Sequence, residues 1–196
     1  IEFNSKRIHI KNVNILKLKE YSFKNIKIKN SEVIQYLTIE NMSNLKLEKI
    51  RTLDLTQTKI SDISGLGNIH TLDLSFTEVI DVSALSNVHT LNLKNTKVTD
   101  VNALGNVHTL DLSYTNMIDV NALGNVHILD LSGTKVTDVS ALGNVHTLNL
   151  SSTKIRDVSA LGNVHTLDLT YTDVTNIKAL GNVHTLNLRR TKVTDV

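Results

Sequence analysis

The 196-residue chain contains no cysteine, no proline and no tryptophan. Without cysteine there can be no disulfide, no thiolate chemistry, no iron–sulfur cluster and no Cys-based zinc site. The compartment stays open, because cytosolic and secreted chains can both lack cysteine. The absence of proline suits a regular array in which backbone N–H groups are needed as donors. Aromatic residues make up 4% of the chain against 40% apolar residues in all, so a core must be built from Leu, Val and Ile. No run approaches the roughly 18 apolar residues of a membrane span, and no signal peptide is visible. The chain begins with Ile1 rather than Met, which makes the missing signal uninformative. Net charge is only +2, but it is unevenly spread. Residues 1–49 hold ten Lys and Arg against five Asp and Glu, whereas residues 50–196 hold eleven against fourteen. That asymmetry divides the chain into two differently built segments.

What the sequence does contain is a repeat. His70, His89, His108, His127, His146, His165 and His184 stand 19 residues apart. Aligned on them, seven full units begin at Ile50, Ile69, Val88, Val107, Val126, Val145 and Val164, and a partial eighth begins at Val183. Number the positions of each unit 1 to 19. Apolar residues occupy positions 1, 4, 6, 11, 14 and 17, and positions 4 and 6 alternate with polar 3, 5 and 7. Period two marks a strand with one buried face. So few core residues cannot close a core within one unit, but stacked units merge them into a shared column. In the second half, Asp at position 13, a short apolar pair and Gly at position 18 describe a capped helical turn. It is too short for an α-helix and is expected to be 3₁₀, with the Gly at positive φ to end it. Asn at position 19 (Asn106, Asn125, Asn144, Asn163) and Thr at position 9 (Thr96, Thr115, Thr134, Thr153) never vary. Such constancy is expected of ladders that bond backbone groups left unpaired at the two corners.

The pattern L-x-x-L-x-L-x-x-T-x-V resembles the conserved half of a leucine-rich repeat, with Thr where that family usually has Asn or Cys. The unit T-L-N-L-S-S-T-K-I-R-D-V-S-A-L-G-N-V from Thr147 is most similar to the repeats of bacterial internalins, shortened before the strand. The phrase V-H-T-L-D-L also resembles repeat proteins of giant viruses that infect amoebae. The resemblance covers residues 50–196. It implies a leucine-rich-repeat solenoid with a parallel β-sheet on one face and short 3₁₀ turns and loops on the other. A unit this short leaves little material outside, so low curvature is expected, and eight rungs at roughly 4.8 Å each give an axis of about 35 Å. A repeat formula records the scaffold and not the ligand.

Residues 1–49 keep the strand formula but lose the register. It recurs at Val13-Leu16-Leu18, Phe23-Ile26-Ile28, Ile34-Leu37-Ile39 and Met42-Leu45-Leu47. The segment is expected to be a β-rich N-terminal cap, made of degenerate rungs or hairpins, over the open end of the apolar column. The sequence stops at Val196 in mid-unit, so a longer natural protein is expected.

Candidate functional residues lie outside the core columns. Positions 3, 5 and 7 should point to the exposed sheet face, where position 5 carries Asp73, Asp111, Asp130 and Asp168. This stripe is a recognition surface or simply a solvated face. Position 8 is the most varied column and includes Phe76, Tyr114, Tyr171 and Arg190. It is either a binding column, since exposed aromatics are common in interfaces, or an unconstrained loop position. The Lys-rich position 10 reads as a solubilising edge, and with no nucleic-acid motif no nucleic-acid partner is expected. Regularly stacked imidazoles do not converge on a tetrahedral ion, so no metal and no cofactor is expected. The same stacking should make neighbouring imidazoles depress one another's pKa. Each His is one of a series, which leaves no unique catalytic constellation. The sequence therefore reads as a non-catalytic module that binds a protein ligand, with self-association through the last rung or the sheet edges as the alternative.

Overall fold

A computed structural model of the chain describes residues 2–4, 7–10, 25–28, 51–58, 60 and 63–194. Among these, one sheet runs in strict chain order through β1 (Glu2–Asn4), β2 (Arg7–Ile10), β3 (Asn25–Ile28), β4 (Thr52–Asp54), β5 (Thr71–Asp73) and β6 (Thr90–Asn92). It continues through β7 (Thr109–Asp111), β8 (Ile128–Asp130), β9 (Thr147–Asn149), β10 (Thr166–Asp168) and β11 (Thr185–Asn187). β1 and β2 are antiparallel, and every later pairing is parallel. From β4 onward the partners are equivalent repeat positions, as in Leu72 beside Leu91. Successive units are therefore the rungs of a solenoid, counted here from the unit at Ile50. The pairing of Ile8 with Ile26 and of Ile26 with Leu53 carries the same sheet into the first segment. Of the four strand formulae noted there, only the one at Ile26 and Ile28 falls within the described residues; Val13–Leu18, Ile34–Ile39 and Met42–Leu47 lie outside them.

The paired stretch of a rung is longer than its three-residue strand. His89 and Thr90 both donate N–H to the His70 carbonyl, and Phe76 N–H donates to the Lys94 carbonyl at 2.9 Å. The ladder thus spans positions 2 to 8. Inside it, positions 1, 4, 6, 11, 14 and 17 form one continuous cluster from Leu53 to Leu180, with Leu110 and Leu112 fully enclosed. Burying each such side chain stabilises by about 1.5–3 kcal/mol. Because neighbours supply the enclosing surface, that gain exists only in the stack.

In the second to seventh rungs the return half is a three-residue 3₁₀ turn, such as Ser83–Leu85 or Asn102–Leu104. Asp at position 13 starts it: Asp81 Oδ1 accepts the Ser83 N–H at 2.9 Å and Asp138 Oδ1 that of Ser140 at 2.9 Å. The glycine after the turn corrects the expectation of a positive φ, since Gly105 sits at φ −60°. Its reason is space. A Cβ on Gly105 would lie 2.5 Å from the Ala122 carbonyl oxygen of the next rung, and one on Gly124 2.5 Å from that of Ala141. The outer turns are therefore stacked backbone on backbone, which keeps the solenoid from fanning open on that side.

Candidate recognition surface

Position 8 sits at the corner where the strand turns outward. Position 9 N–H closes back on the position 6 carbonyl, as in Thr115 to Leu112 at 3.3 Å. This four-residue turn needs positive φ at its third residue, a place suited to Gly or Asn. All eight rungs show it: Gln57, Phe76, Asn95, Tyr114, Ser152, Tyr171 and Arg190 lie at φ 52–60°, and Gly133 at 67°. Of the two readings left open by the sequence, an unconstrained loop position does not fit, since this column holds the left-handed backbone in every rung. Phe76, Tyr114 and Tyr171 are each about half exposed, at 45%, 56% and 52%. Parts of the column are in contact, with each other or with position 7 of the preceding rung. The Arg190 guanidinium lies 4.9 Å from the Tyr171 ring centre, and Lys94 Nζ lies 5.4 Å from that of Tyr114. The Tyr114 ring covers Gly133, where a Cβ would meet it at 2.7 Å.

The sheet face is more committed to the scaffold. Asp73 Oδ1 accepts the Ser75 N–H at 2.9 Å, while its Oδ2 accepts from Asn92 Nδ2 of the next rung at 3.1 Å. Asp130 does the same with Ser132 and Asn149, and Asp168 with Thr170 and Asn187. Asp111 accepts the Ser113 N–H at 2.8 Å. These four carboxylates are half-buried. Position 7, expected to be exposed, is buried at Ser75, Ser113 and Ser132, because it lies inside the turn that position 8 completes.

The two invariant polar columns part ways. Thr96 Oγ1 donates to the Leu93 carbonyl at 2.7 Å, Thr115 to Leu112 at 2.7 Å, Thr134 to Leu131 at 2.6 Å and Thr153 to Leu150 at 2.6 Å. Each of these carbonyls already takes the same residue's N–H, so the hydroxyl fills its second lone pair. Asn106, Asn125, Asn144 and Asn163 instead stand exposed to solvent, which differs from the bonded ladder expected of them. The backbone leaves them nothing to serve: the next N–H, that of Val107, is already bonded to the Leu104 carbonyl at 3.0 Å.

Beyond the corner, positions 9 and 11 are buried, while 8, 10 and 12 face outward. Column 10 carries ion pairs from rung to rung, Glu78 with Lys97 and Asp173 with Lys192. Lys192, helped by Lys154 and Arg156, holds the Asp173 carboxyl below its ordinary pKa. Column 12 was missed in the sequence: Ile80 and Ile118 are exposed at 61% and 63%. The signal was present, since the two rungs with Ile at position 12 also carry Phe76 and Tyr114 at position 8.

The histidines stack as a ladder. Adjacent ring centres lie 4.6–4.8 Å apart from His70 to His184. Rings stacked face to face at this spacing cannot turn their nitrogens onto one tetrahedral ion at about 2.0–2.1 Å. Among the described residues, no group of three or more His, Asp and Glu is placed to hold a metal. Loss of water around the rings holds His70, His108 and His146 below the ordinary value of 6.5, with Arg51 and His89 adding to the effect at His70 and adjacent imidazoles at the other two. The mutual depression expected from the sequence is present but ranks after desolvation.

No family model matches the chain, and no curated protein does. Solved structures do match. Internalin C2 of Listeria monocytogenes superimposes with a TM-score of 0.72 at 24% identity, over 91% of this chain and 84% of that one. Another Listeria internalin, InlF, gives 0.62 at 22% over 87% of this chain, which spans 60% of its length. A leucine-rich-repeat protein of Leptospira interrogans gives 0.66 at 20%, over 91% of this chain and 52% of that one. Among the described residues no helix is long and apolar enough to cross a membrane. With parallel rungs, 3₁₀ returns and these neighbours, the fold is a short-repeat leucine-rich-repeat solenoid of the internalin kind.

Proposed function

We propose that the chain is a non-catalytic protein-recognition module whose contacts centre on Phe76, Tyr114, Tyr171 and Arg190 at the corner, beside the carboxylates of Asp73, Asp111, Asp130 and Asp168. One observation carries the reading. Position 8 holds bulky side chains in a backbone conformation that favours Gly, yet glycine occupies it only at Gly133. A non-Gly residue in the left-handed region costs roughly 1–2 kcal/mol, and such strain persists at sites that use the side chain. Half-exposed aromatics are suited to interfaces because they combine apolar area with few rotatable bonds. The fold itself is a common scaffold for protein binding, but the repeats set no ligand. The histidine and aspartate columns repeat rung after rung, so they present an array rather than the single converging set that catalysis requires.

A photo-activated cross-linker at Tyr114 or Tyr171, with a control at Asn144, tests this in extracts of the source cells. Discrete protein adducts are expected from the two corner sites. Excess unlabelled protein should compete them away, and excess of a triple variant with Phe76, Tyr114 and Tyr171 each changed to Ser should not. Equal adducts from Asn144, or none from the corner, would overturn the reading.

A further inference from the structure

Resting on that reading, we infer that the recognition track is the flank formed by columns 8, 10 and 12 rather than the open sheet face, and that its occupant is an extended acidic protein segment with apolar side chains at one end. Three observations on the molecule converge here. First, position 8 is the most varied column of near-identical repeats, and the exposed positions 10 and 12 change in charge and polarity from rung to rung, while the flanking buried columns 9 and 11 stay fixed or aliphatic. Second, the flank is polarised along the axis. Its first half pairs Phe76 with Ile80 on the second rung and Tyr114 with Ile118 on the fourth, all four exposed. Its second half gathers Lys154, Arg156 and Lys192 around the single carboxylate of Asp173, with Arg190 above Tyr171. Third, the sheet face offers less: three of its four candidate carboxylates have both oxygens bonded within the scaffold.

The dimensions and charge define the occupant. Six steps of about 4.8 Å from the second rung to the eighth make a track of roughly 29 Å, the length of about nine extended residues. Lys135, Lys154, Arg156, Arg190 and Lys192 outnumber Asp173 in the second half even when the bordering Asp138 and Asp157 are counted, so unmatched positive charge remains for a partner carboxylate. The border carboxylates Asp81, Asp100 and Asp119 of the first half disfavour acid there, which orients the segment with its apolar residues toward the second rung. A nucleic acid suits the track less well. Ile80 and Ile118 have no ring to stack on a base, and the position 5 carboxylates run parallel to the track.

The test is selection of random peptides of about twelve residues, long enough for the track, on the immobilised full chain. Enriched peptides should carry Asp or Glu separated from Phe, Leu or Trp. Their affinity should fall at least about tenfold, the loss typical of a central interface contact, in Lys154→Glu/Arg156→Glu and in Ile80→Ser/Ile118→Ser. Asn144→Ser/Asn163→Ser, exposed at position 19, should leave it unchanged, and Asp111→Asn/Asp130→Asn should lower it less than either flank pair. The milder Lys154→Gln/Arg156→Gln, with circular dichroism of every variant, separates loss of binding from loss of fold. Peptides that bind but respond only to the Asp111 and Asp130 changes would overturn the flank while leaving protein recognition standing. Basic peptides, or tighter binding of a single-stranded oligonucleotide of matched length, would overturn the acidic partner. Failure to enrich any peptide would count against both the flank and the reading beneath it.

Discussion

The corner residues carry the sharpest conflict between backbone and side chain. Ser152 at φ 60° makes no ring or cation contact of the kind that Tyr171 and Arg190 share, so nothing offsets its conformation. Ser152→Gly is expected to stabilise the chain by up to about 1 kcal/mol, less than the full left-handed penalty because glycine loosens the unfolded chain. The reverse change, Gly133→Ala, should cost about 1–3 kcal/mol, since it adds both the backbone penalty and a clash with the Tyr114 ring. Urea midpoints at constant slope read both. A second residue-scale effect lies in the histidine ladder. His70, His89, His108, His146 and His165 each place Nδ1 3.2–3.3 Å from the Thr hydroxyl that follows. Ring pairs in which both members have this contact lie within 10–12° of parallel. The pairs involving His127, which precedes Ile128, and His184 are tilted by 26–37°. His184 precedes Thr185 and its pair is still tilted, so the Nδ1–hydroxyl contact, rather than the hydroxyl alone, goes with a parallel ring plane. Ile128→Thr should bring the His108–His127 pair from 37° toward the 12° of His89–His108 in a crystal structure. An unchanged tilt would show that the hydroxyl is incidental.

At the scale of the rung, strand and return turn obey different rules. The strand needs only alternation, and the turn needs close approach. Gly124→Ala puts a methyl 2.5 Å from the Ala141 carbonyl oxygen and must push two rungs apart. A cost of about 1–3 kcal/mol is expected, as for other overpacked sites. Gly181→Ala in this 196-residue chain is the control, because the sequence stops before the next rung's position 16, so a Cβ there meets nothing within 4 Å, and its backbone lies in the right-handed region. It should be neutral or stabilising by up to about 1 kcal/mol. Equal losses at the two sites would mean that conformation, not contact, keeps the glycine. This contrast explains what could be read from sequence. Periodicity reports which side chains are inside, and it located the core columns and the 3₁₀ turn. It does not report backbone dihedrals or the distance between rungs. The positive φ therefore fell on position 8, whose varied residues hid it, while the glycines that seemed to announce it serve packing. In the same way, invariance of Thr115 and of Asn125 looked alike, although only the threonine hydroxyl has a backbone carbonyl within reach. Ile80 and Ile118 stand in a column that is otherwise Ser, Thr or Arg, so no periodicity marks them.

Across the whole molecule, charge is arranged in lines: histidines at the strand entry, carboxylates along the sheet, lysines beyond the corner. Lines of like groups make stability depend on pH in separable windows. The carboxyls of Asp81, Asp138 and Asp157 accept backbone N–H bonds from Ser83, Ser140 and Ser159, which hold them below the ordinary 3.8. Their stabilisation is complete above that value and disappears only in acid. The histidines act higher. With the folded pKa of His70, His108 and His146 below 6.5, the unfolded chain binds more protons just beneath that pH. Stability is then full above about 6.5 and declines as pH falls through it toward the folded values. Sheet-face carboxylates lie three residues on from the histidines, and Arg51 lowers the folded pKa of His70 alongside His89. A melting temperature lower at pH 5.5 than at 7.5 therefore belongs to the ladder. Replacing His108 and His146 together by Gln should shrink that difference, because it removes two of the depressed groups and leaves His127 without an adjacent imidazole. If the melting temperature were the same at both pH values, or if the double variant kept the full difference, the imidazoles would not be coupled to folding, and their stacking would serve only to continue the rung-to-rung packing outside the core.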